Sequence, residues 1–74
     1  MDFPEASDLL TKSCPTLADI AREAGVSSGL IRQARLDPKA SSYRSPPPNW
    51  RQAIAKLARG RAAELERLAE ELEG

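Results

Sequence analysis

The apolar positions of the chain fall into groups, each with a spacing of its own. In the run LADIAREAGVSSGLIRQARL, 17–36, Leu17, Ile20 and Ala21 recur at helical intervals, Gly25 interrupts them, and Val26, Ile31 and Ala34 resume the pattern. That spacing predicts two short helices meeting at a sharp turn, each with one face directed inward. The small Ala21 lets the second helix cross close to the first. Gly25 supplies the positive φ that closes the first helix. Val26 plugs the corner, and Ser27 is placed to cap the second helix through its hydroxyl.

Weaker helical character runs from about Glu5 to Ser13, with Leu9, Leu10 and Phe3 expected against the same core and Pro4 suited to a helix start. Pro15 stops that segment, and Thr16 with Asp19 three residues on forms the signature of a capping box. The helix begun at Ser28 is expected to reach about Leu36. Asp37-Pro38 ends it, since the residue before proline is driven out of the α region. Further on, Asn49 is expected to cap the last helix, with Gln52 as its reciprocal partner. Trp50, Ile54 and Leu57 then dock on the core. Beyond them Ala58, Leu65 and Leu72 lie seven apart, as do Ile54, Arg61 and Leu68, a short heptad seam. Unbroken from Trp50 to Glu73, this helix would be about 36 Å long, with Gly60 the natural place for a kink.

Composition narrows the fold class. The chain has 74 residues, one valine and three aromatics (Phe3, Tyr43, Trp50), which leaves a sheet almost no material. The expected fold is all-α, of about four helices with a long C-terminal one. A core of this size is only marginally sufficient by itself. No apolar run is long enough to cross a membrane and no leader is evident, so a cytoplasmic location is expected. Cys14 is the only cysteine, without a partner for a disulfide or a metal site, and is expected to be a loop or buried thiol rather than a redox sensor.

Net charge is zero, yet its distribution is uneven. Residues 1–30 hold five acids and two bases, a balance of −3. Residues 31–61 hold eight bases and one acid, +7, and residues 62–74 hold five acids and one base, −4. The positive field is concentrated in the helix after Gly25, in the loop beyond it and in the first half of the last helix.

The run Leu-x-Asp-Ile-Ala-x-x-Ala-Gly-Val-Ser, 17–27, resembles the helix-turn-helix of bacterial repressors of lac-repressor and Cro type, especially the opening of lac-repressor-type domains, and the Tyr-Arg-x-Pro-Pro loop, 43–47, with the helix after it is more loosely similar to small phage-type repressors, including anti-CRISPR-associated autorepressors. The resemblance covers about twenty residues. It implies a supporting helix at 17–24 laid across a DNA backbone and a recognition helix in the major groove. Residues 1–48 would form the helix-turn-helix domain with its basic, proline-rich loop, and residues 49–74 the helix for core docking and dimerisation. The candidate DNA-binding residues are Ser27, Ser28, Gly29, Arg32, Gln33 and Arg35. Arg pairs bidentately with guanine and Gln with adenine, each at about 1–3 kcal/mol of discrimination. The bland alternative for the two arginines is a solvated helix face.

In the loop, Lys39, Tyr43 and Arg44 are of the types that donate to phosphate oxygens. For Tyr43 an anchoring role in the core is an equal alternative. Pro46-Pro47-Pro48 is expected to stiffen the connection. Along the last helix Ile54, Ala58, Arg61, Leu65, Leu68 and Leu72 are the candidate dimerisation residues. The basic first half and acidic second half favour an antiparallel or crossed pairing of two copies over a parallel one; the alternative is a tail folded back on its own domain.

Together these features point to a transcriptional repressor that binds double-stranded DNA as a homodimer on an inverted repeat. The rivals are an excisionase-like architectural factor and a protein-interaction antiactivator built on the same scaffold. An enzyme is not expected: histidine is absent, and no nucleophile–base pair, metal-ligand cluster or phosphate-cradling loop is evident. Neither a cofactor, a metal, a small-molecule ligand nor a membrane is expected as a partner.

Overall fold

Asp2 opens the first helix, its carboxylate accepting from the Glu5 N–H at 2.9 Å. The computed structural model describes residues 1–13 and 15–74; Cys14, expected as a loop or buried thiol, lies outside them. Among the described residues there are four helices and no strand: α1 (Phe3–Thr11), α2 (Leu17–Ala24), α3 (Ser28–Ala34) and α4 (Trp50–Glu73). The all-α fold with a long last helix is therefore as the spacing predicts.

Local chemistry sets each boundary. Thr16 and Asp19 form the capping box: the Asp19 N–H donates to Thr16 Oγ1 at 3.2 Å and the Thr16 N–H to Asp19 Oδ2 at 2.8 Å. Two N-terminal donors of α2 are thereby satisfied. At the other end Gly25 adopts φ 76°, and the N–H groups of Gly25 and Val26 donate to Arg22 and Ala21 carbonyls at 3.3 and 2.9 Å. This is a Schellman closure, which needs the left-handed conformation at its glycine. A Cβ there would meet no atom within 4 Å, so the requirement for glycine is torsional rather than steric. Ser27 Oγ then accepts from the Leu30 N–H at 3.1 Å and starts α3.

The core is small. Phe3, Leu10, Ile20, Ala21, Ile31 and Ala34 are buried together, and Leu17, Val26, Trp50, Ile54 and Leu57 pack around them. Trp50 meets Phe3 edge-on at 5.5 Å between centroids, while Arg51 lies over its ring at 4.7 Å. Burial of α1 differs from expectation at Leu9, which is exposed. It sits about 100° around the helix from Leu10, so only one of the two neighbours can face the core.

α3 rests on α2, and α4 lies against α1 and α2. Ion pairs bridge the elements: Arg35, the C-cap of α3, with Asp8 of α1, and Lys56 of α4 with Glu23 of α2 at 3.1 Å. Contrary to the expectation from sequence, Asn49 does not cap α4 through its side chain. Its Nδ2 donates instead to the Ala24 carbonyl at 3.3 Å, closing the end of α2. α4 runs for 24 residues without a break at Gly60, and its far half projects beyond the body, giving a molecule 53 Å long and 20 by 17 Å across.

Candidate nucleic-acid interface

The geometry of α3 follows from its two buried positions. Ile31 and Ala34 are fixed inward by the core. At about 100° per residue, Gly29, Arg32 and Gln33 then fall on the outward side. Arg32 and Gly29 are exposed and Gln33 half-buried. The Arg32 guanidinium takes part in none of the ion pairs of the described residues.

Ser28 and Arg35 lie about 60° and 40° from Ile31 on the same count, at the flank of the outward face. Arg35 is correspondingly drawn inward to Asp8 of α1. Its charge is compensated within the fold, in contrast to that of Arg32. Ser27 is also engaged, as the cap of α3. Gly29 has no steric reason to be glycine: a Cβ there would meet only Ser27 Oγ, at 3.9 Å. Its effect in the free chain is to leave the backbone of the outward face bare.

The loop after α3 is tied to this face by its main chain. Asp37 organises the turn, its Oδ1 accepting from the Lys39 N–H at 2.9 Å and its carbonyl from the Ala40 N–H at 2.8 Å. The Tyr43 N–H donates to the Ala40 carbonyl at 3.1 Å, and the Arg44 N–H reaches back to the Gln33 carbonyl at 3.4 Å. That last bond sets Arg44 beside the end of α3. Lys39 and Arg44 are exposed and Tyr43 half-buried. The Arg44 guanidinium donates to the carbonyl of Tyr43 at 3.2 Å, and neither basic side chain has a carboxylate partner among the described residues.

The outward side of α3 thus presents Gly29, Arg32 and Gln33, and the loop carrying Lys39, Tyr43 and Arg44 is tied to the end of that helix by the bond from Arg44 to Gln33, with Ser27 and Ser28 at the start of the helix and Arg35 paired with Asp8. Leu36, just past α3, is also exposed, and the sequence pattern does not mark it. Its signal is weak, since an apolar residue at a helix end reads equally as core. Pro47 is buried and accepts from the Trp50 N–H at 3.0 Å, so the proline run joins the loop firmly to α4.

One pKa shift falls on α2. The backbone N–H of Thr16, then its hydroxyl, hold the Asp19 carboxyl below its ordinary value, with Arg22 at 3.2 Å adding to the effect. Its role is to support the start of α2. Among the described residues no group of His, Cys, Asp and Glu is arranged to hold a metal ion, and no helix is long and apolar enough to cross a membrane. Comparison with protein-family models, with curated proteins and with solved structures finds no match to the chain.

Proposed function

We propose that this chain is a sequence-specific DNA-binding protein, a transcriptional repressor that occupies an inverted-repeat operator as a homodimer. The observation that carries the reading is the set of exposed cations Arg32, Lys39 and Arg44, without carboxylate partners among the described residues, on α3 and on the loop whose end the bond from Arg44 to Gln33 ties to that helix. Arg22, Arg35 and Lys56 are each paired with an acid, whereas Lys12 of the N-terminal segment and Arg51 and Arg59 of α4 also lack a carboxylate partner among the described residues.

In this reading α3 enters the major groove. Arg32 and Gln33 read base edges there, Gly29 admits the groove wall close to the backbone, and Leu36 packs on a thymine methyl. Lys39, Tyr43 and Arg44 grip the adjoining phosphates, which positions the helix without specifying sequence. Arg35 orients α3 through Asp8 rather than reading bases.

Selection of bound sites from random duplex DNA tests the reading. The wild-type chain should yield a two-fold symmetric consensus with half-sites about one helical turn apart. Arg32→Ala and Gln33→Ala should each relax one base position. Absence of any duplex binding at low ionic strength would overturn the proposal. An asymmetric consensus accompanied by strong bending would replace the repressor with an architectural factor.

A further inference from the structure

Every residue from Ala62 to Gly74 is exposed, including Leu65, Leu68 and Leu72 at 47, 52 and 79%. The tail does not fold back on the body. On the same side of the molecule Met1 and Leu9 are 69 and 52% exposed. These side chains are not scattered. Met1, Leu9 and Leu10 of the N-terminal segment and Ile54, Ala58 and Leu65 of α4 line one open groove of about 330 Å³. An apolar groove continuous with an apolar helical row is a surface that water leaves at a gain in free energy when a partner covers it.

We propose that the occupant is a second copy of this chain, its α4 antiparallel to the first, so that the far leucines of each copy fill the α1–α4 groove of the other. Charge selects both the partner and the direction. From Arg51 to Arg61 the helix holds four bases and no acid, +4, and from Ala62 to Gly74 five acids and one base, −4. Antiparallel pairing lays each +4 half along a −4 half; parallel pairing sets like on like.

Spacing selects the register. Ile54, Ala58, Arg61, Leu65, Leu68 and Leu72 follow intervals of 4, 3, 4, 3 and 4 residues. A two-fold axis beside residue 63 places Ile54 opposite Leu72 of the second copy, Ala58 opposite its Leu68, and Arg61 opposite its Leu65. The small Ala58, itself part of the groove lining, receives a large leucine. Ala55, Ala62 and Ala69, seven residues apart along one flank of the seam, let the helices come close. Arg61, paired with its own Glu64 at 3.3 Å, is the single polar residue of the seam, recurs in two symmetry-related layers, and restricts the alignment as polar seam residues do in coiled coils. This pairing specifies the dimer of the proposed repressor and rests on that proposal for the use the dimer is put to, whereas the support for the pairing lies in α4 and its groove.

Single-cysteine variants of the full chain in a Cys14→Ser background test the register. Ala58→Cys alone and Leu68→Cys alone should stay uncrosslinked under mild oxidation, and their equimolar mixture should give a disulfide-linked dimer. Crosslinking of either variant by itself, or no crosslink in any arm, overturns the register. Light scattering on the wild type at tens of micromolar should give twice the chain mass; a monomer overturns the proposal outright. Leu68→Glu, at a position exposed in the single chain, should raise the dimer dissociation constant about tenfold or more while Trp50 fluorescence stays native. Unchanged affinity overturns the assignment of Leu68 to the seam. A monomer that still selects a DNA site removes this pairing alone, and a dimer of this register that ignores DNA removes the repressor reading alone.

Discussion

Gly25 and Gly29 lie four residues apart and do opposite things. At Gly25 the backbone is left-handed, and a side chain is strained despite open space around it. Gly25→Ala should therefore cost about 1–2 kcal/mol, read as a lower urea midpoint with an unchanged slope. At Gly29 the backbone is helical and alanine fits, so Gly29→Ala should raise stability by up to about 1 kcal/mol. On the proposed function it should at the same time weaken binding to the selected operator. A rise in stability with unaltered DNA affinity would show that the bare backbone is not approached. Asp19 supplies a pH signature. Its carboxyl titrates below the ordinary aspartate value of 3.8 when folded, so its contribution is present above that value and is lost as pH falls through the lowered one. Asp19→Asn should flatten the acid limb of a stability–pH profile and leave its slope above neutrality unchanged.

At the level of elements, the two central helices are legible from sequence almost residue by residue. Thr16, Asp19, Gly25 and Ser27 act only on neighbours within four positions, and local order is enough to read them. What escapes depends on distant parts of the chain. Asn49 has the right side chain to cap α4, yet Ala24 offers an uncapped carbonyl across the fold, and the asparagine serves that instead. Asn49→Ala should accordingly cost about 1 kcal/mol and loosen the end of α2, seen as faster amide exchange at Gly25 and Val26. Arg35 looks equivalent to Arg32 in sequence, and only the position of Asp8 on α1 separates them. Of the proposed binding surface, the helical part is readable from the wheel, whereas the placing of the loop depends on the bond from Arg44 to Gln33. Sequence alone does not decide whether α4 continues through Gly60, which is helical in the fold, with no other atom near its missing side chain. Gly60→Ala should stabilise the helix by about 1 kcal/mol, visible as increased ellipticity.

For the whole molecule, zero net charge conceals a division of labour among three regions. The acids of the first thirty residues support helix starts and fold ion pairs at Asp19, Asp8 and Glu23. The middle carries the free cations of the proposed DNA surface. Binding should consequently fall steeply with salt despite the neutral total, and Lys39→Ala or Arg44→Ala should each lower the slope of log K against log salt by about 1 without altering the consensus. A change of consensus in either variant would move that residue from phosphate to base contact.

The far half of α4 has one more implication. On the proposed pairing, the part of α4 past Leu65, the last of its residues to line the groove beside α1, is held only by the second copy, and a helix end without packing frays. Dilution should therefore melt the rod from its free end inward while the body keeps its shape, and crowding the solution with more molecules should restore it. On that pairing the abundance of the protein is written into the backbone order of its own last turns.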